Sequence, residues 1–152
     1  MTSEKERAPA ELGVFREFVE RSHLPIDFGT ARKQEEEFMP DIFCRLTTGE
    51  PCYFELMEVC SPEVAQLIVN AASGKSLATS ASDPTREALL RKLRKTYKVP
   101  VVSLILYTNG RVISMDDQIL IEAQGAMSQV RGPFSAVWLL GGQGLHRVSS
   151  VS

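Results

Sequence analysis

Two carboxylates stand where a tight turn would bring them together. Asp41 follows Pro40 at the start of one extended run, and Glu55 lies within the next. The runs Met39 to Leu46 and Pro51 to Val59 are rich in β-branched, aromatic and other apolar residues, and the polar cluster Thr47-Thr48-Gly49-Glu50 separates them as a hairpin turn would. A three-residue loop, Thr47 to Gly49 with Gly49 in the left-handed conformation, sets Asp41 opposite Glu55. A two-residue loop, Thr48-Gly49, would set Asp41 opposite Leu56 and mismatch the faces. The first register gathers Ile42, Cys44, Leu46, Cys52, Phe54 and Leu56 on one apolar face, and Met39, Asp41, Phe43, Tyr53, Glu55 and Met57 on the other.

Directly opposed residues in an antiparallel pair have Cβ atoms roughly 4.5 to 5.5 Å apart, and like charges at that separation destabilise the pair. A hard cation such as Mg²⁺ would compensate. So would a raised pKa on one acid, or a nearby Lys or Arg. A wet face on which both acids are merely solvated is the bland alternative, and the spacing does not choose among these.

The elements that must hold the pair can be read on either side of it. A helix is expected from Pro9 to Arg21, with Leu12, Phe15 and Val19 in one stripe and Val14 and Phe18 widening it, after a disordered tail over residues 1–8. Pro25 and Gly29 break the pattern before a polar stretch, Thr30 to Glu37, that leads into the hairpin as a strand of its own. Ser61-Pro62 and Asp83-Pro84 are two cap-plus-proline helix starts. The first opens a short apolar helix, Glu63 to Ala72, ended by Gly74 and followed by a small-residue loop, 73–82. The second opens a helix over 84–98 whose apolar stripe is Leu89, Leu90, Leu93 and Tyr97.

Further on, Val99 to Thr108 reads as a buried strand, with Asn109-Gly110 as a hairpin signal behind it. Asp116 to Val130 is a helix stopped at Gly132-Pro133. Phe134 to Leu140 is another buried strand, with Trp138 in the core, and Gly141-Gly142-Gln143-Gly144 turns it into a last strand, Leu145 to Val151. This order is that of an α/β (α+β) fold, a central mixed β-sheet flanked by α-helices.

The helix over 84–98 carries the one basic patch of the chain. Arg86, Arg91, Lys92, Arg94, Lys95 and Lys98 leave Glu87 as its only acid. Its surface would contact phosphates, or would simply complement the helix dipole. The formal net charge of −2 argues against general electrostatic coating of nucleic acid, so such binding needs this local patch. Cys44, Cys52 and Cys60, an odd set without C-x-x-C spacing, suggest a reducing, cytoplasmic setting and structural thiols. No apolar run is long enough for a membrane span, and the start lacks the apolar segment of a signal peptide. With 152 residues a single domain over 9–152 is expected, and a homodimer is left open. Gly74-Lys75-Ser76 lacks the first glycine and the preceding strand of a phosphate-binding loop, so that reading is rejected.

Pro40-Asp41, Glu55, the helix segment Leu89 to Tyr97 before Pro100 to Tyr107, and the late strand Phe134 to Leu140 together resemble the PD-(D/E)xK nuclease superfamily, which has the restriction-endonuclease-like fold. The resemblance covers roughly residues 35–140. It implies that Asp41 and Glu55 hold Mg²⁺ or Mn²⁺ and that a lysine two residues after the glutamate assists a water. Here that position is Met57, which can do neither. Divergent members supply the cation from the following helix, which implies Lys92 or Lys95, with Lys75 a weaker candidate. Arg91, Lys92, Arg94 and Lys95 would then contact DNA.

Three functions follow from these readings: a metal-dependent phosphodiester hydrolase acting on DNA, a catalytically inactive binding module on the same fold, and a small-molecule enzyme using Asp41 and Glu55 for acid-base work. The last lacks a cofactor motif.

Overall fold

The computed structural model describes residues 4–59, 84–108 and 116–148. The expected helix over 63–72, the loop over 73–82 with Lys75, the Asn109-Gly110 turn and Cys60 lie outside them. The first helix, α1, spans Glu4–Ser22 and so starts ahead of Pro9. The Glu-Lys-Glu-Arg-Ala sequence before the proline consists of good helix formers. Three strands follow: β1 (Ile26–Lys33), β2 (Ile42–Leu46) and β3 (Pro51–Val59). Then come α2 (Pro84–Leu93), β4 (Val102–Thr108), α3 (Asp116–Gln129), β5 (Phe134–Gly141) and β6 (Gly144–Val148).

The six strands form one mixed sheet in sequence order, β1 to β6. The first three pair antiparallel, β3, β4 and β5 pair parallel, and β6 returns antiparallel on β5. Parallel neighbours need crossovers. That is why α3 stands between β4 and β5. The fold is thus a mixed sheet flanked by helices, as the element order implies.

Each face of the sheet carries its own apolar layer. On one, Phe15 and Phe18 of α1 pack on Ile42, Cys44, Phe54, Leu56, Ile105 and Leu140. On the other, Leu89, Leu90 and Leu93 of α2 and Ile119, Ala123 and Ala126 of α3 cover Met57, Val59, Leu104, Leu106 and Leu139. Burying a Leu, Ile or Phe side chain contributes about 1.5 to 3 kcal/mol. Met57 therefore belongs to the core. Trp138, expected in the core, is half-buried and packs against the α1 layer, edge-on to Phe18 with ring centroids 5.4 Å apart.

The hairpin register is the three-residue one. Ile42 pairs Phe54, Phe43 pairs Tyr53 and Cys44 pairs Cys52. Leu46 N donates to Glu50 O at 2.8 Å, and Gly49, at φ 97°, closes the turn in a conformation that a side chain would strain.

Two further boundaries differ from expectation and bear on the site. The polar strand lies earlier, at Ile26–Lys33, and absorbs Gly29 in an irregularity between Asp27 and Arg32, where Asp27 Oδ1 accepts from Gly29 N at 3.0 Å. The basic helix ends at Leu93 rather than Lys98. Its last turn tightens through Arg94 N to Arg91 O and Lys95 N to Lys92 O, and Lys98 N donates to Phe38 O instead of continuing the helix. Pro100 just beyond favours an extended approach.

Candidate functional site

Asp41 lies at the entry to β2 and Glu55 within β3, and the register brings their polar groups into direct contact. The backbone N–H of Asp41 donates to Glu55 Oε1 at 2.9 Å. The N–H of Leu56 donates to Asp41 Oδ2 at 2.9 Å. Each acid is thus held by the other's strand.

Cations reach the pair from both layers. Lys33, opposite Ile42 at the end of β1, shares the α1 face of the sheet; its Nζ lies 2.9 Å from Asp41 Oδ1 and 2.6 Å from Glu11 Oε2 of α1. From the other layer Lys92 of α2 places Nζ 3.1 Å from Glu55 Oε2, and the Tyr97 hydroxyl donates to the same oxygen at 2.7 Å. Tyr97 reaches it because the chain has already left the helix at Leu93. Its ring rests against Phe134, with centroids 5.7 Å apart.

Glu55 is only 4% exposed, and the environment separates the two acids. Burial pushes the Glu55 carboxyl above its ordinary 4.5, the Asp41 charge pushes the same way, and Lys92 and Tyr97 offset this only in part. Burial also acts against the Asp41 anion, but the Lys33 charge and the Leu56 N–H outweigh it and hold Asp41 below 3.8. The proton that the pair keeps longest therefore belongs to Glu55. For Lys33, burial opposes the ammonium, yet its bonds to Glu11 and Asp41 raise it above 10.5. Tyr97 is pushed far up by burial and by the Glu55 acceptor.

Beside Asp41 opens a cleft of ≈ 230 Å³ lined by Glu11, Lys33, Gln34, Glu35, Glu36, Met39 and Asp41. Its wall is a pinned loop. Gln34 Nε2 donates to Pro40 O at 3.1 Å and Gln34 N to Asp41 O at 2.7 Å. At its tip Phe38 adopts φ 65° and is 53% exposed.

Of the residues expected to act, the fold unites Asp41, Glu55 and Lys92. Lys95 stands beyond the end of α2 and is exposed, as are Arg91 and Arg94, so Lys92 and Lys95 do not share a helix face. No contact joins Lys95 to the acids among the described residues. Lys33, Glu11 and the Tyr97 hydroxyl are the members that sequence reasoning missed. Lys33 lay in a polar run whose pairing was unknown. Tyr97 counted as an apolar stripe residue, and only its hydroxyl, which must find a partner when buried, hinted at more.

Among the described residues no group of three or more His, Cys, Asp and Glu side chains is arranged as a ready metal cage. The donor chemistry nevertheless fits Mg²⁺ or Mn²⁺, which bind through one or two carboxylates and keep several waters. Two carboxylates meet here, three of their four oxygens (Asp41 Oδ1, Asp41 Oδ2 and Glu55 Oε1) carry a single protein donor and keep a lone pair, and the cleft opens beside Asp41. Compared with family models, curated proteins and solved structures, the chain matches none.

Proposed function

We propose that this chain is a metal-dependent phosphodiester hydrolase of the PD-(D/E)xK class acting on DNA. The observation that carries the reading is Lys92 Nζ at 3.1 Å from Glu55 Oε2. With Met57 turned into the core, a lysine from the helix after the hairpin stands at the acid pair, which is the substitution that the resemblance to divergent members implies. Asp41 and Glu55 hold the divalent cation. Bound there, the cation would stabilise the charge that develops on the attacking and leaving oxygens. Lys92 and Tyr97 fix the Glu55 carboxylate by two donors to one oxygen. The exposed Arg91, Arg94 and Lys95 at the end of α2 contact backbone phosphates and position the strand without reading its sequence.

Calorimetric titration with Mn²⁺, of the native chain and of Asp41→Ala, tests the metal. Binding by the native chain alone is expected, and equal or absent binding in both rejects the reading. Cleavage of plasmid and single-stranded DNA, with Lys92→Ala alongside, tests the reaction. The same fold as a non-catalytic binding module is favoured by one observation: every oxygen of the acid pair already has a protein donor. Absent metal binding together with absent cleavage selects that second reading.

A further inference from the structure

The two ammoniums at the acid pair are not equivalent. Lys92 shares Glu55 Oε2 with Tyr97, and none of these three residues lines the cleft. Lys33 does line it, and its Nζ sits between Glu11 Oε2 at 2.6 Å and Asp41 Oδ1 at 2.9 Å. An ammonium bridging two carboxylates beside an open cleft occupies ground that a small cation would also favour. The other charged residues of the cleft, Glu35 and Glu36, are acids, and Lys98 is drawn to Glu36 at 2.9 Å on the exposed rim. The cleft therefore attracts positive charge.

We infer that Lys33 is a tethered counter-ion for Asp41, and that a divalent cation entering this cleft displaces its ammonium from the carboxylate. The inference rests on the metal-binding reading above at Asp41, the acid of the pair that lines the cleft, and adds the residue that sets the affinity. The geometry allows the exchange. Lys33 is anchored by the backbone of β1, while its charge hangs on a flexible four-carbon stem. Asp41 keeps its backbone donor, the Leu56 N–H at 2.9 Å, when the ammonium departs, so its carboxylate stays aimed. Glu11 remains as the resting place for Lys33, and the stem needs only a local rotation. A monovalent ion would gain nothing over the ammonium already present. The cation selected is thus a divalent one.

The experiment is Mn²⁺ titration calorimetry on the native chain, Lys33→Met and Asp41→Ala at one low ionic strength. Lys33→Met removes the competing charge and keeps the length of the side chain, so Mn²⁺ should bind roughly tenfold tighter, since a unit charge a few ångströms from the ion acts strongly even when partly screened. Unchanged or weaker binding in Lys33→Met, with binding lost in Asp41→Ala, overturns the inference and leaves the metal reading standing. No binding by the native chain rejects both. A second measurement needs no variant: an amine-reactive reagent followed by mass spectrometry should modify Lys33 of the native chain faster with Mn²⁺ than without, with exposed Lys95 as the internal reference. A Lys33 rate that Mn²⁺ leaves unchanged also overturns the inference.

Discussion

Among the described residues, buried carboxylates stand in two places, and they are satisfied differently. Glu55 pairs with Leu104 and Leu104 with Val137, so the first cluster lies at the level of Val137. The second lies farther along β5, where Asp116, at the start of α3 and 2% exposed, meets the β5–β6 hairpin. There Asp116 Oδ2 accepts from the N–H of Gln143 at 2.9 Å and lies 2.9 Å from His146 Nε2, while Asp116 N donates to Gln143 Oε1 at 3.0 Å. A Cβ on Gly141 would come within 2.4 Å of the carboxylate, which leaves no room for a side chain at that position. All of these partners belong to one hairpin and one helix end. The Asp41–Glu55 pair instead draws donors from β1, β3, α2 and the segment after it, beside an open cleft. A backbone N–H cannot leave without unfolding its strand, whereas an ammonium on a flexible stem can. The Asp116 cluster is a clasp, and on the inference drawn above the Lys33 bond to Asp41 is exchangeable.

The sharpest way to break this contrast is to damage the clasp. Asp116→Ala strands the Gln143 N–H in a part-buried site and removes the acceptor of His146, and a loss of about 2 to 4 kcal/mol is expected from hydrogen bonds of this kind. Gly141→Ala should destabilise by about 1 to 3 kcal/mol through overpacking. Urea unfolding measures both. If the contrast is right, neither variant alters Mn²⁺ affinity in the fraction that remains folded.

The acid pair should behave in the opposite way. Asp41→Asn keeps the side chain's shape and much of its bonding, so a smaller loss, about 1 to 2 kcal/mol, is expected from weakened charge-assisted bonds, together with loss of Mn²⁺ binding. A stability cost that matches that of Asp116→Ala, with Mn²⁺ binding intact, would make both clusters clasps.

The pH dependence has a sign for each group. Asp41, held below 3.8, contributes stability that is present above 3.8 and is lost as pH falls through its lower folded value. Glu55, raised above 4.5, acts the other way: between 4.5 and its higher folded value the folded chain binds more protons than the unfolded one, so stability declines as pH rises across that window. Lys33 adds a contribution present below 10.5 and lost as pH rises through its higher folded value. Urea midpoints measured against pH should show the decline above 4.5 in the native chain and lose it in Glu55→Gln. The smallest expected effect is that of Tyr97→Phe, about 0.5 to 1.5 kcal/mol for one hydrogen bond, with the Glu55 pKa rising further because a donor to its anion is gone. Carboxyl chemical shifts followed against pH would register that rise.

Much of the frame was legible without coordinates. Gly49 in its polar turn, with alternation on both sides, was enough to choose the register that joins Asp41 to Glu55, because a slip by one residue would have turned Phe54 and Leu56 out of the core. The strand and helix order was readable for the same reason, since hydrophobic period follows backbone geometry. Where that period weakened, the reading drifted. Gly29 read as a break although it lies inside β1, and the helix over 84–98 looked continuous although Tyr97 and Lys98 had partners elsewhere.

The sequence by itself determined the acid pair, the faces of the hairpin, the mixed sheet with its helices and the burial of Met57's neighbours, all of which depend on local conformation and on periods of two or 3.6 residues. Only the tertiary structure decided which charges meet those acids. Lys33, Lys92, Tyr97 and Glu11 are all far from Glu55 in the chain, and no local pattern says how β1, α1 and α2 dock around the acid pair. That choice is made by the packing of two apolar layers on opposite faces of one sheet, which carries a lysine from each side to the place where the faces meet.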